Sequence, residues 1–200
     1  MKEIFERQRT LMGNFHPIES SNSTIFQYQD IRVPVDMNTL GGQARIKHLA
    51  WYTVEEIAEA VEAEDAEDKL EELIDAIHFF VELCITAGYD YDFFDSLEYY
   101  FKFFDEHNPS YIKHNRVNVA VANFIRRLGA AMNQLKNKPW KRTHTPFDET
   151  YKMKFEAYLR LSMFHLLEIG WALGIKSADH LRDIYNKKNN INAHRQRSGY

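Results

Sequence analysis

Cysteine is nearly absent. Cys84 is the only one in 200 residues, so the chain can form no intrachain disulfide and no cysteine-ligated zinc site, and a reducing cytoplasm suits it. No run of 18 apolar residues occurs, and the opening MKEIFERQRTLMGNF lacks the apolar stretch of a signal peptide, so membrane insertion is not expected. Positive charge is also in short supply. The net charge of −4 and the pI near 6.1 argue against a partner that is a nucleic acid polymer, which calls for a basic face. Glu-x-x-His occurs nowhere, which counts against a ferritin-like di-iron bundle.

What the chain does have is a 44% hydrophobic content, enough to bury a substantial core in one domain or in two tightly packed helical halves. It also has one acidic phrase written twice, Glu56-Ile57-Ala58-Glu59-Ala60-Val61 and Glu72-Leu73-Ile74-Asp75-Ala76-Ile77. In a helix, acids three apart lie about 60° apart on one face. Ile57, Ala58 and Val61, matched by Leu73, Ile74 and Ile77, are read as the stripes that turn each helix to the core. The polar stretch Glu64–Asp68 reads as a short connection, which makes the two helices antiparallel neighbours. The hairpin then gathers Glu56, Glu59, Glu72 and Asp75 within roughly two turns, on the order of 9 Å along the axes. Carboxylates crowded without a basic partner repel one another, and an oxygen-loving cation is the remedy, with Mg²⁺ first and Mn²⁺ as the alternative. A lone Glu-x-x-Glu is a weak signal, because Glu3/Glu6 and Glu59/Glu62 also satisfy it; the paired phrase is far more specific.

Along the chain, residues 2–12 form an amphipathic helix that Gly13-Asn14 ends, and residues 14–42 read as a long irregular segment with extended character at Ile31, Val33 and Val35. Helices follow over 43–64, 67–87, 92–107, 115–136 and 147–173, and one capped by Ser177 runs to about Lys187. The 92–107 helix carries Phe93, Phe94, Tyr99, Tyr100, Phe101, Phe103 and Phe104, more rings than one stripe needs. Core packing is the first reading and a subunit interface the second. The basic, proline-bracketed stretch Asn137–Pro146 reads as an exposed linker within reach of phosphate. An internal echo aligns Glu82, Gly88, Tyr99 and Lys102 with Glu168, Gly174, Tyr185 and Lys188, as duplication of a helical pair would produce. The second copy lacks the paired acids.

The last thirteen residues, KNNINAHRQRSGY, are too polar for a core and are expected to be mobile until a ligand orders them. Lys188, Asn189, Asn192, Arg195 and Tyr200 are all donors suited to phosphate oxygens.

The spacing Glu56-x-x-Glu59, then Glu72-x-x-Asp75, resembles the signature of the all-α nucleoside triphosphate pyrophosphohydrolases, the MazG-like superfamily. The tail spacing KN-x-x-N-x-x-RQ-x-x-GY and the Asp75-Ala-Ile-His78-Phe79 run are similar to those of the dimeric dUTPases and phage-type dCTPases within it. The motifs cover about a third of the chain. The tryptophan-lysine stretch that many dimeric dUTPases carry between the acid pairs is missing, which leaves the choice of base open. The resemblance implies an all-α bundle in a single domain over 1–200, a homodimer, and Mg²⁺-dependent hydrolysis of a deoxynucleoside triphosphate, dUTP foremost, to the monophosphate and pyrophosphate. It implies metal ligation by Glu56, Glu59, Glu72 and Asp75, with Glu56 or Glu59 as the base that positions water. Lys188, Asn189, Asn192, Arg195 and Tyr200 would bind substrate, and Gln8 would meet the pyrimidine. A pyrophosphohydrolase for dCTP or another dNTP is the alternative, and a catalytically silent helical interaction protein the alternative outside enzymes.

Overall fold

The computed structural model describes residues 1–21, 32–107 and 116–198. Among them are seven α-helices: α1 Lys2–Ser21, α2 Leu40–Glu62, α3 Ala66–Thr86, α4 Leu97–His107, α5 Arg116–Met132, α6 Glu149–Leu173 and α7 Ala178–Arg197, with a 3₁₀ turn at Tyr91–Phe93. The described residues contain no strand, and the all-α expectation holds.

Local chemistry sets the helix ends. Thr39, Asp65, Asp148 and Ser177 cap α2, α3, α6 and α7, each side chain accepting a hydrogen bond from a first-turn N–H that the helix leaves unpaired. Gly88 and Gly174 follow α3 and α6 at φ +88° and +124°, a backbone region that glycine enters without steric cost.

The architecture is a ring of four helices with three more against it. The hairpin α2–α3 and the hairpin α5–α6 are the most extensively packed pairs; α3 lies on α6 and α2 on α5, which closes the ring. Helices α1 and α7 cover α3, while α4 covers α6. The core runs continuously through the ring from Ile46, Leu49 and Ile57 to Leu73, Ile77 and Phe80, then to Phe124, Leu159 and Leu166. At about 25 cal/mol per Å² of apolar area, burial of this kind is the main term holding the bundle together.

Several sequence expectations are corrected. Helix α1 does not stop at Gly13-Asn14; it passes through Gly13 and Pro17 to Ser21. Its buried positions Ile4, Phe5, Gln8 and Leu11 form one helical stripe, and packing of that stripe outweighs the roughly 1 kcal/mol cost of an interior glycine. Helix α2 starts at Leu40, ahead of Gln43, because Thr39 supplies the cap. Ala58 and Val61 are exposed, and the inner stripe of α2 is instead Ile46, Leu49, Ala50, Thr53, Ile57 and Ala60. The 92–107 helix is divided: the 3₁₀ turn at Tyr91–Phe93 comes first and α4 starts at Leu97. As far as residue 198, the tail is neither loose nor separate. It continues α7 to Arg197, and the stripe Leu181, Tyr185, Lys188 and Asn189 is buried. Of the extended segment, Ile31 lies outside the described residues, while Val35 donates its N–H to Thr86 O at 2.9 Å.

The rings of α4 are absorbed within the chain. Phe104 and Phe103 meet Phe164 of α6 edge-on at 5.1 and 5.5 Å between centroids, and Phe104 also approaches Trp171. Core packing therefore accounts for most of the aromatic load, with Tyr99 left exposed.

Candidate active site

The connection between α2 and α3 is only Ala63–Asp65, and Asp65 caps α3 through its side chain on the Glu67 N–H at 2.6 Å. A turn that tight sets the acidic ends of the two helices against each other. Glu56 and Glu59 of α2 and Glu72 of α3 each bring one carboxylate oxygen to within 4.8 Å of the others. The crowding has an electrostatic signature. Burial, with the charges of Asp75, Glu59 and Glu72 behind it, pushes the Glu56 carboxyl up to about 7. Burial also raises Glu72, with Asp75, Glu59 and Glu71 adding to it against the pull of Lys188.

Asp75, the fourth predicted ligand, faces the tail. Its Oδ2 lies 2.7 Å from Lys188 Nζ, and its Oδ1 accepts from Asn192 Nδ2 at 3.3 Å and sits 3.6 Å from His78 Nδ1. Burial alone would raise this carboxyl, but the hydrogen bonds from His78 and Lys188 outweigh it and hold it below the usual value. Lys188, 5% exposed, also bonds Glu71. Burial works against its charge, yet Asp75 and Glu71 together keep its pKa raised. The structure thus places a cation of the chain's own against the acidic hairpin, near enough for its charge to be felt at Glu72 and Glu56.

Beside the acids is a cavity of about 350 Å³ whose walls include Gln8, Glu56, Asp75, Asn192 and Arg195, five of the residues singled out from sequence. This volume is in the range of sites that enclose a small ligand. A larger cavity of about 530 Å³, walled by Arg9, Met12, Tyr89 and Asp90, has one carboxylate, and Arg9 engages it at 3.1 Å. The smaller cavity is the better candidate, because chemistry follows the acids and not the volume.

A buried polar chain anchors the floor. Gln8, 1% exposed, donates to Glu82 Oε2 at 3.3 Å and accepts from the Tyr185 hydroxyl at 2.9 Å, and Arg45 bonds Glu82 Oε1 at 3.1 Å. The Tyr185 ring stacks on His78 with centroids 4.2 Å apart. Since His78 Nδ1 faces the Ile74 carbonyl at 2.9 Å, that nitrogen carries the proton. His78 Nε2 and both amide atoms of Gln196 are buried without a hydrogen-bond partner at the cavity wall, and buried polar groups are rarely left so. Asn189 is buried with its Nδ2 unpartnered, while Tyr200 lies outside the described residues.

Arg45, Glu71 and Tyr185 had no place among the residues read as functional. Arg45 is remote in sequence from Glu82, and only the fold makes a charge in the α2 stripe intelligible. Tyr185 did carry a signal, as a member of the internal echo.

A family profile described as dUTPase matches residues 59–200, a span that takes in Glu59, Glu72, Asp75 and all of α7 and begins just beyond Glu56. No curated protein and no solved structure matches the chain.

Proposed function

The chain belongs to the dUTPase family, and from that premise we propose that it hydrolyses dUTP to dUMP and pyrophosphate in an Mg²⁺-dependent reaction. The observation that supports the reading is a three-carboxylate group, Glu56, Glu59 and Glu72, that shares Glu56 with the wall of a cavity also lined by Asp75, Asn192 and Arg195.

The donor set fits a hard divalent cation. Glu56, Glu59 and Glu72 offer oxygens only, Asp75 adjoins them, and the raised Glu56 and Glu72 carboxyls are those a cation would relieve. Bound there, such an ion supplies Lewis acidity toward phosphate oxygens and makes a nearby water more acidic. The chain's own groups do the rest. Glu56 or Glu59 accepts a proton from the attacking water, which adds in line at the α-phosphorus while the bond to the β-phosphate oxygen breaks. Arg195 offers a bidentate fork to the outgoing pyrophosphate oxygens, and Asn192 and Asn189 donate single hydrogen bonds. Lys188 leaves Asp75 for phosphate as substrate enters, exchanging one anionic partner for another. Gln8, already fixed by Glu82 and Tyr185, presents its amide to the pyrimidine edge, and the unpartnered atoms of His78 and Gln196 offer further hydrogen bonds to the base.

A homodimer is part of this reading. The hairpin α5–α6 leaves Val119, Ile125, Met153 and Leu161 exposed, apolar area that a second copy would cover. The deciding assay is pyrophosphate release with Mg²⁺ across dUTP and the four common dNTPs. Turnover of dUTP is expected; a preference for dCTP would move the base choice, and activity on none would leave a silent helical module.

A further inference from the structure

The loop between α5 and α6 collects positive charge in a chain whose net charge is negative. Lys138, Lys141 and Arg142 line a cavity of about 120 Å³ together with Asn137, Thr143 and His144, and no carboxylate lines it. Among the described residues, none of these three cations takes part in an ion pair with a carboxylate, whereas Lys152, in the first turn of α6, pairs with Glu149. A fourth cation backs them. Lys47 of α2 donates to the carbonyls of Leu135 and Asn137 at 2.9 and 3.0 Å, and burial, followed by the charge of Lys138, pulls its pKa down to about 8.

This charge sits on a held frame. Asn137, 4% exposed, donates its backbone N–H to Gln43 Oε1 at 2.9 Å and its amide to Asn38 O, and accepts from Thr145 N at 2.8 Å. Asn38 in turn accepts from Phe147 N at 2.9 Å. Lys141 N–H closes a turn on Lys138 O at 3.0 Å, which sets both lysines on one rim and leaves Trp140 at the tip, 77% exposed. Lys47 feels the charge of Lys138, and a backbone held this way keeps the loop's cations together for an anion at reduced ordering cost.

We propose that this cavity is a phosphate-binding site, separate from the acidic hairpin by roughly 24 Å along α2 at 1.5 Å per residue. Three cations converging on so small a space match a group with two or more negative charges and several acceptor oxygens, which favours a phosphate over a single carboxylate. Arg142 supplies the bidentate fork and the lysines the point charges. The volume takes a phosphate and no nucleoside, so any attached base must remain outside, where Trp140 offers a ring face for stacking. The ligand is thus inorganic phosphate or pyrophosphate, or the phosphate of a nucleotide. The proposal does not depend on the hydrolase reading.

The test uses the full chain in Mg²⁺-free buffer, with orthophosphate, pyrophosphate, a 5′-deoxynucleoside monophosphate and a short oligothymidylate as separate probes. Saturable amide shifts centred on residues 137–144 are expected, together with a rise in the Lys47 pKa. Lys141→Gln/Arg142→Gln should weaken binding by about tenfold or more. Its turnover at saturating substrate should stay at the parent level, since neither residue is in the acidic site. Quenching of Trp140 by the nucleotide probes alone, lost in Trp140→Phe, would assign the phosphate to a nucleotide; shifts with orthophosphate or pyrophosphate and no quenching would assign it to the free ion. Absence of loop shifts with every probe, or equal affinity in the double variant, would overturn the site.

Discussion

The two hairpins of the ring are built alike and equipped differently. Two of the positions that the internal echo pairs, Glu82 with Glu168 and Gly88 with Gly174, have like surroundings: each glutamate lies on the second helix of its hairpin and meets an arginine from the first, Arg45 at 3.1 Å and Arg116 at 2.9 Å, and each glycine ends its helix with positive φ. Carried to the acids, the same offset puts Tyr158 at the place of Glu72, Leu161 at that of Asp75 and Phe164 at that of His78. Phe164 packs instead against the rings of Tyr100, Phe103 and Phe104 of α4. The helices that cover the hairpins differ in the same sense. Lys188 of α7 is buried among carboxylates, while its counterpart Lys102 of α4 is exposed and pairs with Glu106 at 3.8 Å. One hairpin satisfies its core and is stable for it; the other keeps unreconciled charge, which is what a catalytic site needs and a structural one avoids.

The sharpest break in the comparison is activity. Glu59→Gln and Asp75→Asn should each lower turnover by about a thousandfold, with helix content unchanged by circular dichroism. Substitution at the corresponding Leu161 should leave turnover alone. Parent-level activity in either acid variant would remove the metal-site assignment.

Next in size is stability. Glu168→Gln should cost about 3 kcal/mol in urea unfolding, because it leaves Arg116 buried beside a lost charge, and should leave the folded enzyme's turnover intact. Glu82→Gln should cost a similar amount and also raise KM, since Glu82 holds Gln8 at the cavity. A Glu168 variant as stable as the parent would show that the two arginine–glutamate pairs are not equivalent.

Lys188→Met and Lys102→Met sharpen the contrast between the covering helices. The first should raise KM for the triphosphate by about tenfold, the second not at all. Deleting residues 188–200 should abolish turnover and also lower stability, because the segment begins in the buried stripe of α7.

The smallest effect separates the hairpins by pH. The Glu56 carboxyl is raised when folded, so its contribution is fully present below its unfolded value near 4.5 and is lost as pH rises through about 7. Discounted for solvent screening of a half-buried group, the loss should be about 1 kcal/mol, and Glu56→Gln should remove it. Glu168 behaves oppositely: His165 and Arg116 overcome burial and lower its pKa, so its contribution is present above the unfolded value and fades as pH falls below it. Stability curves of the two glutamine variants that ran parallel with pH would contradict this.

The acids were legible because a three-residue spacing has one meaning in a helix, and repetition across a short polar connection has few meanings besides a hairpin. The capped start of α7 at Ser177 was legible for the same local reason. What could not be read was anything decided by a distant partner. Helix α1 outruns Gly13 because its buried stripe meets α3 and α7, and the polar tail folds because Lys188 finds Asp75 and Glu71. The exposed positions of Ala58 and Val61 show the limit of a hydrophobic stripe inferred from one phrase: the full length of α2, with Ala60 and Thr53 inside, sets its orientation.

Lys188 also bears on the order of events after synthesis. A nascent chain must close the acidic hairpin before any ion can be held by it, and in a cell where free magnesium is scarce that closure would otherwise wait. Because α7 delivers an ammonium to Asp75 and Glu71 from within the same polypeptide, part of the hairpin's repulsion is met without an ion, and folding is expected to proceed without one. On the proposed reading the metal would arrive as a late guest in a finished house, and stripping it with a chelator should silence the enzyme without sending it to the proteases.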